Sequence, residues 1–192
     1  ANMLPVDGSL SASVTTTATN GRGGAITYAI VGGSGSATVN ASSGLVRGFS
    51  AGTVTLVASS AGDSSYNASS ANQVLTITPI TPTLTITSAN TLPVDGSLSA
   101  SVTSTVAAGR GGAITYFILV GSGSATVNAS TGLVRGVSAG TVTLVAVAAG
   151  DGSYNTTSTN QVLTITAITP TLTITSANML PVDGSLSASV TT

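Results

Sequence analysis

The stretch GLVRGFSAGTVTLVASSAGDSSYN, residues 44–67, returns as GLVRGVSAGTVTLVAVAAGDGSYN at residues 132–155, and the two copies set the register of the whole chain. Their offset is 88 residues, and 71 of 88 positions agree between residues 1–88 and 89–176, the mark of one supersecondary unit duplicated in tandem. Working outward, residues 53–59 carry the most regular strand pattern, and QVLTIT at residues 73–78 closes the unit. In AITYAIV, residues 25–31, one face carries Ile26, Tyr28 and Ile30, which predicts a strand with that face in the core. LSASV at residues 10–14 alternates in the same way and predicts one half-buried strand, and SATVN predicts a short one. PVDGS, with its fixed φ, short acid and glycine, predicts a turn, and GRGG and GGSGS predict hairpin turns. Pro79-Ile80-Thr81-Pro82 cannot sustain a central ladder and predicts a linker, after which TLTIT opens the next unit with Leu84 and Ile86 inward.

Counted this way a complete unit holds about seven short strands with turn signals every 8 to 12 residues or so, the pattern of an all-β sandwich. The predicted organisation is a first module at residues 1–80 without its opening TLTIT strand, and a complete second module at 81–168. Residues 169–192 supply the first strands of a third module or a segment exchanged between chains. Residues 177–192 are identical to residues 1–16, whereas 89–104 differ from both at Thr91 and Ser104, which favours a 176-residue alternating superrepeat. On that reading the 192 residues are one superrepeat plus a 16-residue overlap, and the missing opening strand with the spare terminal ones makes the chain a window of a longer array or one that exchanges its end strands.

The succession SGLV, GxSAGTVTLVA, AGDxxYN and NQVLTIT resembles the bacterial immunoglobulin-like repeats that stand in tandem in surface adhesins and extracellular filaments. The resemblance covers essentially the whole chain and implies immunoglobulin-like sandwiches and an extracellular setting on a bacterial cell surface. Arg47 and Arg135 stand where those repeats usually carry Thr or Lys.

Composition narrows the chemistry. The chain has no Cys, Lys, Glu, His or Trp, and its only charges are four Arg and five Asp. Disulfides, thiolate metal sites and Lys-to-Asn isopeptide cross-links are thereby excluded. Ser and Thr make up 62 of 192 residues, a mixture that suits strands and turns. No run approaches the roughly 20 apolar residues of a bilayer-spanning helix. Nucleophilic catalysis lacks a base other than Asp. Asp7, Asp95 and Asp183 sit in PVDGS turns, and Asp63 and Asp151 in AGDxxYN loops, where turn capping is the expected role. No cofactor is expected: two carboxylates per module do not cluster into a calcium site, which needs about six to eight oxygens, so backbone carbonyls at a module junction would have to supply one. Arg22, Arg47, Arg110 and Arg135 are too few for a nucleic-acid footprint and are expected to pair with Asp63 or Asp151. Asn40, Asn67, Asn128 and Asn155 begin glycosylation sequons, at a frequency close to that expected by chance in so Ser- and Thr-rich a chain.

Charged residues make up only 5% of the chain, against about 25–35% on the surface of a typical free domain. Such modules are expected to pack on copies of themselves or to lie under glycans on Ser, Thr or Asn. The differences between the copies suggest where. Ile26, Tyr28 and Ile30 are retained as Ile114, Tyr116 and Ile118, while the outward Ala29 and Val31 become Phe117 and Leu119, and Ser59 becomes Val147 beside Val145. Phe117, Leu119, Val145 and Val147 are expected to form one exposed apolar patch, peculiar to module 2, that is buried against a neighbouring chain. The expected function is a structural repeat of an extracellular filament, stalk or adhesin shaft, assembling by module packing and strand addition. The rival is a carbohydrate- or ice-binding adhesin module, which would need clustered exposed aromatics, coordinated Asp or ranked Thr.

Overall fold

The computed structural model describes residues 2–18, 22–107, 110–176, 179 and 182–191, so Gly21 of GRGG and parts of the terminal PVDGS repeat lie outside the described residues. Module 1 contains β1 (Met3–Pro5), β2 (Ser9–Ser11), β3 (Ile26–Val31), β4 (Ser36–Val39), β5 (Leu45–Ser50), β6 (Gly52–Ser60) and β7 (Ser69–Thr78). Module 2 contains β8 (Leu84–Ile86), β9 (Thr91–Pro93), β10 (Ser97–Ser99), β11 (Val102–Ser104), β12 (Ile114–Leu119), β13 (Ser124–Val127), β14 (Leu133–Ser138), β15 (Gly140–Ala148) and β16 (Thr157–Thr166). A last pair, β17 (Thr173–Ile174) and β18 (Val190–Thr191), lies beyond it.

In module 2 one sheet runs β9-β16-β15-β12. The facing layer runs β10-β14-β13 and is extended by the β11-β8 pair. If β8 is strand A, β10 and β11 are the two halves of B, β12 is C, and β13 to β16 are D to G. The layers are then A-B-E-D and G-F-C, which is the immunoglobulin sandwich order. Module 1 repeats it with β1-β7-β6-β3 and β2-β5-β4. Alternation produces the core: Val54, Leu56 and Ala58 of β6 are buried between partly exposed neighbours, and Val142, Leu144 and Ala146 of β15 repeat them.

Two local expectations are corrected, for LSASV and for the glycine-rich segments. LSASV is not one strand. In module 2 its first two residues, Leu98 and Ser99, pair with β14 as part of β10, and its last, Val102, begins β11, which pairs with β8 in the other ladder. A chain passing from one ladder to another must break between them. Module 1 forms only the first half, although the next residues are nearly the same there, because the described chain offers no counterpart of β8 to pair with them. GRGG and GGSGS are not hairpin turns either: both connect strands of opposite layers. In addition, the residues leading into the PVDGS turns at Pro5 and Pro93 form short strands, β1 and β9, that pair in parallel with β7 and β16.

Candidate functional site

The PVDGS turn of module 1 is held by its own backbone. The Gly8 amide donates to the Pro5 carbonyl at 2.9 Å, the Val6 amide to Thr78, and the Asp7 amide to Gly48. Asp7 sits at φ 62°, a left-handed conformation that Asp tolerates better than most non-glycine residues. With the turn closed by main chain, the Asp7 carboxylate does not cap it. That departs from the expected role and leaves both oxygens available.

The AGDxxYN loop of module 2 does behave as expected. Asp151 Oδ1 accepts from the Ser153 and Tyr154 amides at 2.7 and 2.9 Å, and Oδ2 accepts from the Gly111 amide at 3.3 Å. Asp63 caps the module 1 loop through the Gly23, Ser65 and Tyr66 amides. These bonds tie GRGG to AGDxxYN. Gly112 is essential to the approach: it has φ 81°, and a Cβ there would stand 2.5 Å from the Gly150 carbonyl oxygen. The pairing brings Arg110 and Tyr154 out side by side, with the guanidinium carbon 5.3 Å from the ring centroid, within cation–π range.

Both side chains meet Asp7. Tyr154 Oη donates to Asp7 Oδ2 at 2.6 Å, and Arg110 Nη1 donates to Oδ1 at 2.8 Å. Arg110 therefore pairs with the acid of the other module and not with Asp151, whose oxygens are already taken by three amides. The linker takes part as well. The Ile80 amide donates to Ser153 and its carbonyl accepts from the Asn155 amide, forming a one-residue parallel bridge between Ile80 and Tyr154. Asn155 Nδ2 donates to Thr81 Oγ1, and the Ala51 amide donates to Ser153 Oγ. Tyr154 is left only 2% exposed and packs in the same apolar cluster as Leu4, Val6, Val46 and Ile77 of module 1. An exposed ion pair by itself contributes little, so the buried ring supplies most of the junction's stability.

The Tyr154 hydrogen bond, and after it the one from Arg110, hold the Asp7 carboxyl below the usual carboxylate range. Burial, and then Asp7 itself, push the Tyr154 phenol above its ordinary value. Asp7 thus contributes stability that is present above its unfolded value, about 3.9, and is lost as pH falls through the lower folded value. Neutral Tyr154 contributes stability that is full below about pH 10 and is lost as pH rises through its higher folded value. Asp7→Asn is therefore expected to be less stable than the parent at neutral pH, with the gap closing as pH drops below the carboxylate range. Urea midpoints of both proteins from pH 7 to 2 measure this. A gap unchanged at pH 2 would show that the Asp7 charge does not hold the junction.

The predicted patch is only partly open. Phe117 and Leu119 are 43% and 51% exposed, and Val147 is half-buried, but Val145 is 8% exposed and does not belong to the open surface. The reason is register: β12 and β15 are adjacent, as expected, and Phe117 lies directly opposite Val145. Val162 of β16, 57% exposed and opposite Thr143, extends the same face. It escaped the comparison of copies because module 1 has Val74 at that position. Among the sequons, the Asn40 and Asn128 side-chain oxygens cap their own turns, and Asn155 is held by Thr81. Among the described residues no group of three or more His, Cys, Asp or Glu stands together, and no helix is long and apolar enough to cross a membrane.

No family model matches the chain, and no curated protein matches it in sequence. Among solved structures it is similar to the C-terminal 282-residue fragment of intimin in complex with the intimin-binding domain of the translocated intimin receptor, at 15% identity and a TM-score of 0.32, covering 85% of this chain and 57% of that one. It is also similar to the full ectodomain (Ig1–Ig3) of mouse nectin-like molecule 4, at 19% identity and a TM-score of 0.30, covering 74% and 55%. The chain thus spans little more than half the length of either. Overlaps this low carry no weight for function, and the fold rests on the chain's own strand order: it is built of immunoglobulin-like β-sandwich modules.

Proposed function

We propose that the chain is a non-catalytic structural repeat of an extracellular bacterial filament, stalk or adhesin shaft, with modules at residues 1–80 and 81–168. The observation that carries this reading is the junction at Asp7, where Arg110, Tyr154 and the docked linker residue Ile80 join consecutive modules end to end. A tether designed for free swivelling would leave its linker solvated. Here linker backbone is paired and an aromatic ring is buried, which suits a shaft that must keep its length and direction under load. The carbohydrate-binding alternative draws no support from the exposed aromatics, since Phe49 and Phe117 lie on different modules and in different layers.

Two further contacts belong to the proposal. The face carrying Phe117, Leu119, Val147 and Val162 packs laterally on a second copy, in keeping with the 5% charge content, which offers little repulsion between copies. The open groove on module 1 receives a TLTIT strand, residues 171–175 of another copy, by strand addition. Electron micrographs of the purified chain test the filament reading: ordered fibres are expected, and scattered monomers at all concentrations would overturn it. The double variant Phe117→Ala/Leu119→Val, which restores module 1-like residues, is expected to fold normally and to lose lateral bundling. Unchanged bundles would remove the patch from the assembly.

A further inference from the structure

The residues that make the junction's polar contacts and its strand bridge have identical counterparts that are not so engaged, whereas Val106, which packs on the same cluster, is matched by Ala18. On the accepting side, Asp7, Ala51 and Ile80 correspond to Asp95, Ala139 and Ile168; on the donating side, Arg110, Ser153 and Tyr154 correspond to Arg22, Ser65 and Tyr66. The turn geometry is repeated too: Asp95 has φ 60° and its Gly96 amide donates to Pro93, as in module 1. On the donating side, Asp63 organises the loop through the same amide contacts as Asp151, so the loop is preformed.

Burial separates the used set from the unused set. Val6, next to the engaged Asp7, is 2% exposed, whereas Val94, next to Asp95, is only half-buried. Ile80 is half-buried and its counterpart Ile168 is 55% exposed; Tyr154 is buried and Tyr66 only partly so. Among the described residues, the Asp95 carboxylate has no hydrogen-bond partner. The bonding residues and the PVDGS turn are the same at both ends, although Ser64, Ala18 and Ala167 stand where the engaged set has Gly152, Val106 and Pro79, so the extra exposure marks the area that a partner module covers.

We infer that the module 2 turn at Asp95 is the acceptor for Tyr66 and Arg22 of a second copy of this chain, repeating the internal junction head to tail. This rests on the shaft reading above and adds to it a defined polarity and a specific end contact. A heterologous contact of this kind, using different surfaces on the two partners, does not close on itself unless its rotation happens to make a ring, and so it propagates as an open filament. Tyr66 supplies the phenol for one carboxylate oxygen of Asp95 and Arg22 the guanidinium for the other, while Ile168 offers its backbone to the strand bridge.

The absence of cysteine makes the contact addressable by disulfide trapping. In the internal junction the Ala51 amide lies 3.3 Å from Ser153 Oγ, which puts the two residues in contact, and Ala51→Cys/Ser153→Cys, expected to close within one chain, is the internal reference. The matching pair between copies is Ala139→Cys/Ser65→Cys. Under mild oxidation this full-length double variant is expected to give a ladder of linked chains on a denaturing gel, forming at least tenfold faster than dimers of Ser65→Cys alone. Adding Tyr66→Phe or Asp95→Ala, which remove only a hydroxyl and a carboxylate and leave both thiols in place, is expected to slow the ladder several-fold, while circular dichroism confirms that those variants remain folded. A ladder no faster than the Ser65→Cys dimer, or one indifferent to both additions, overturns the inference. Fibres in micrographs without a ladder would leave the shaft reading standing and this contact rejected; a ladder without fibres would do the reverse.

Discussion

Tyr154→Ala is expected to destabilise the chain by about 3–5 kcal/mol, the cost of truncating a fully buried aromatic ring, whereas Tyr66→Ala is expected to cost about 1–2 kcal/mol, in the ordinary range for a part-buried position. The two tyrosines occupy the same place in loops that share the sequence AGDxSYN, and both loops are capped by their own Asp through the same set of amides. What differs is the partner. Tyr154 enters the apolar cluster of the preceding module and hydrogen-bonds Asp7; Tyr66 has no such neighbour among the described residues. The difference between the two variants therefore isolates the junction from the loop. Tyr154→Phe keeps the ring and removes the hydroxyl, and is expected to cost much less than the alanine variant, because the Asp7 carboxylate it loses is solvent-exposed and the bond is screened. Urea denaturation followed by circular dichroism, with both transitions fitted, provides the numbers. Equal losses at positions 154 and 66 would mean that the tyrosine stabilises only its own loop and that the modules are not coupled through it.

The sandwich was legible because its signals are local. Alternation in TVTLVA and AITYAIV depends on period two alone, and the core faces at Val54, Leu56, Tyr28 and Ile30 follow from it. The adjacency of β12 and β15 followed from the fold class. The junction was not legible, because nothing local distinguishes Asp7 from Asp95 or Tyr154 from Tyr66. Their roles differ only through what the next module brings, and repeat identity conceals that. One hint was available: a Tyr is a costly residue to leave in a loop otherwise made of Ala, Gly, Ser, Asp and Asn, so a burial site for it could have been sought. Val145 was misplaced for a related reason. Alternation assigns a side chain to a face, but whether it is open there depends on the residue opposite, and the Phe117 that marks the patch lies across from it.

Placing residues 81–88, TPTLTITS, directly before Ala1 is expected to stabilise module 1 by about 2–4 kcal/mol, since one Leu becomes buried at about 1.5–3 kcal/mol and one Ile half-buried at roughly half that. Module 2 displays the completed arrangement. There Leu84 is buried, β8 pairs with β11, the Thr87 amide donates to Ser101, and Gln161 Nε2 reaches the Ser88 carbonyl at 3.1 Å. In module 1 the corresponding Val14, Ala58, Ala71 and Gln73 line an open groove, and the VTT segment after LSAS forms no strand although VTS in module 2 does. The added segment restores both the ladder partner and the carbonyl for Gln73, so residues 14–16 are expected to become protected from amide exchange. The same experiment decides the source of the strand in assembly. If residues 171–175 of another copy fill the groove, with Leu172 and Ile174 largely exposed until they do, a chain that already carries its own strand has no vacancy and end-to-end growth through that contact stops. If the extended chain is stabilised yet assembles as before, the groove takes its strand from the preceding stretch of one continuous array and exchange between chains is rejected.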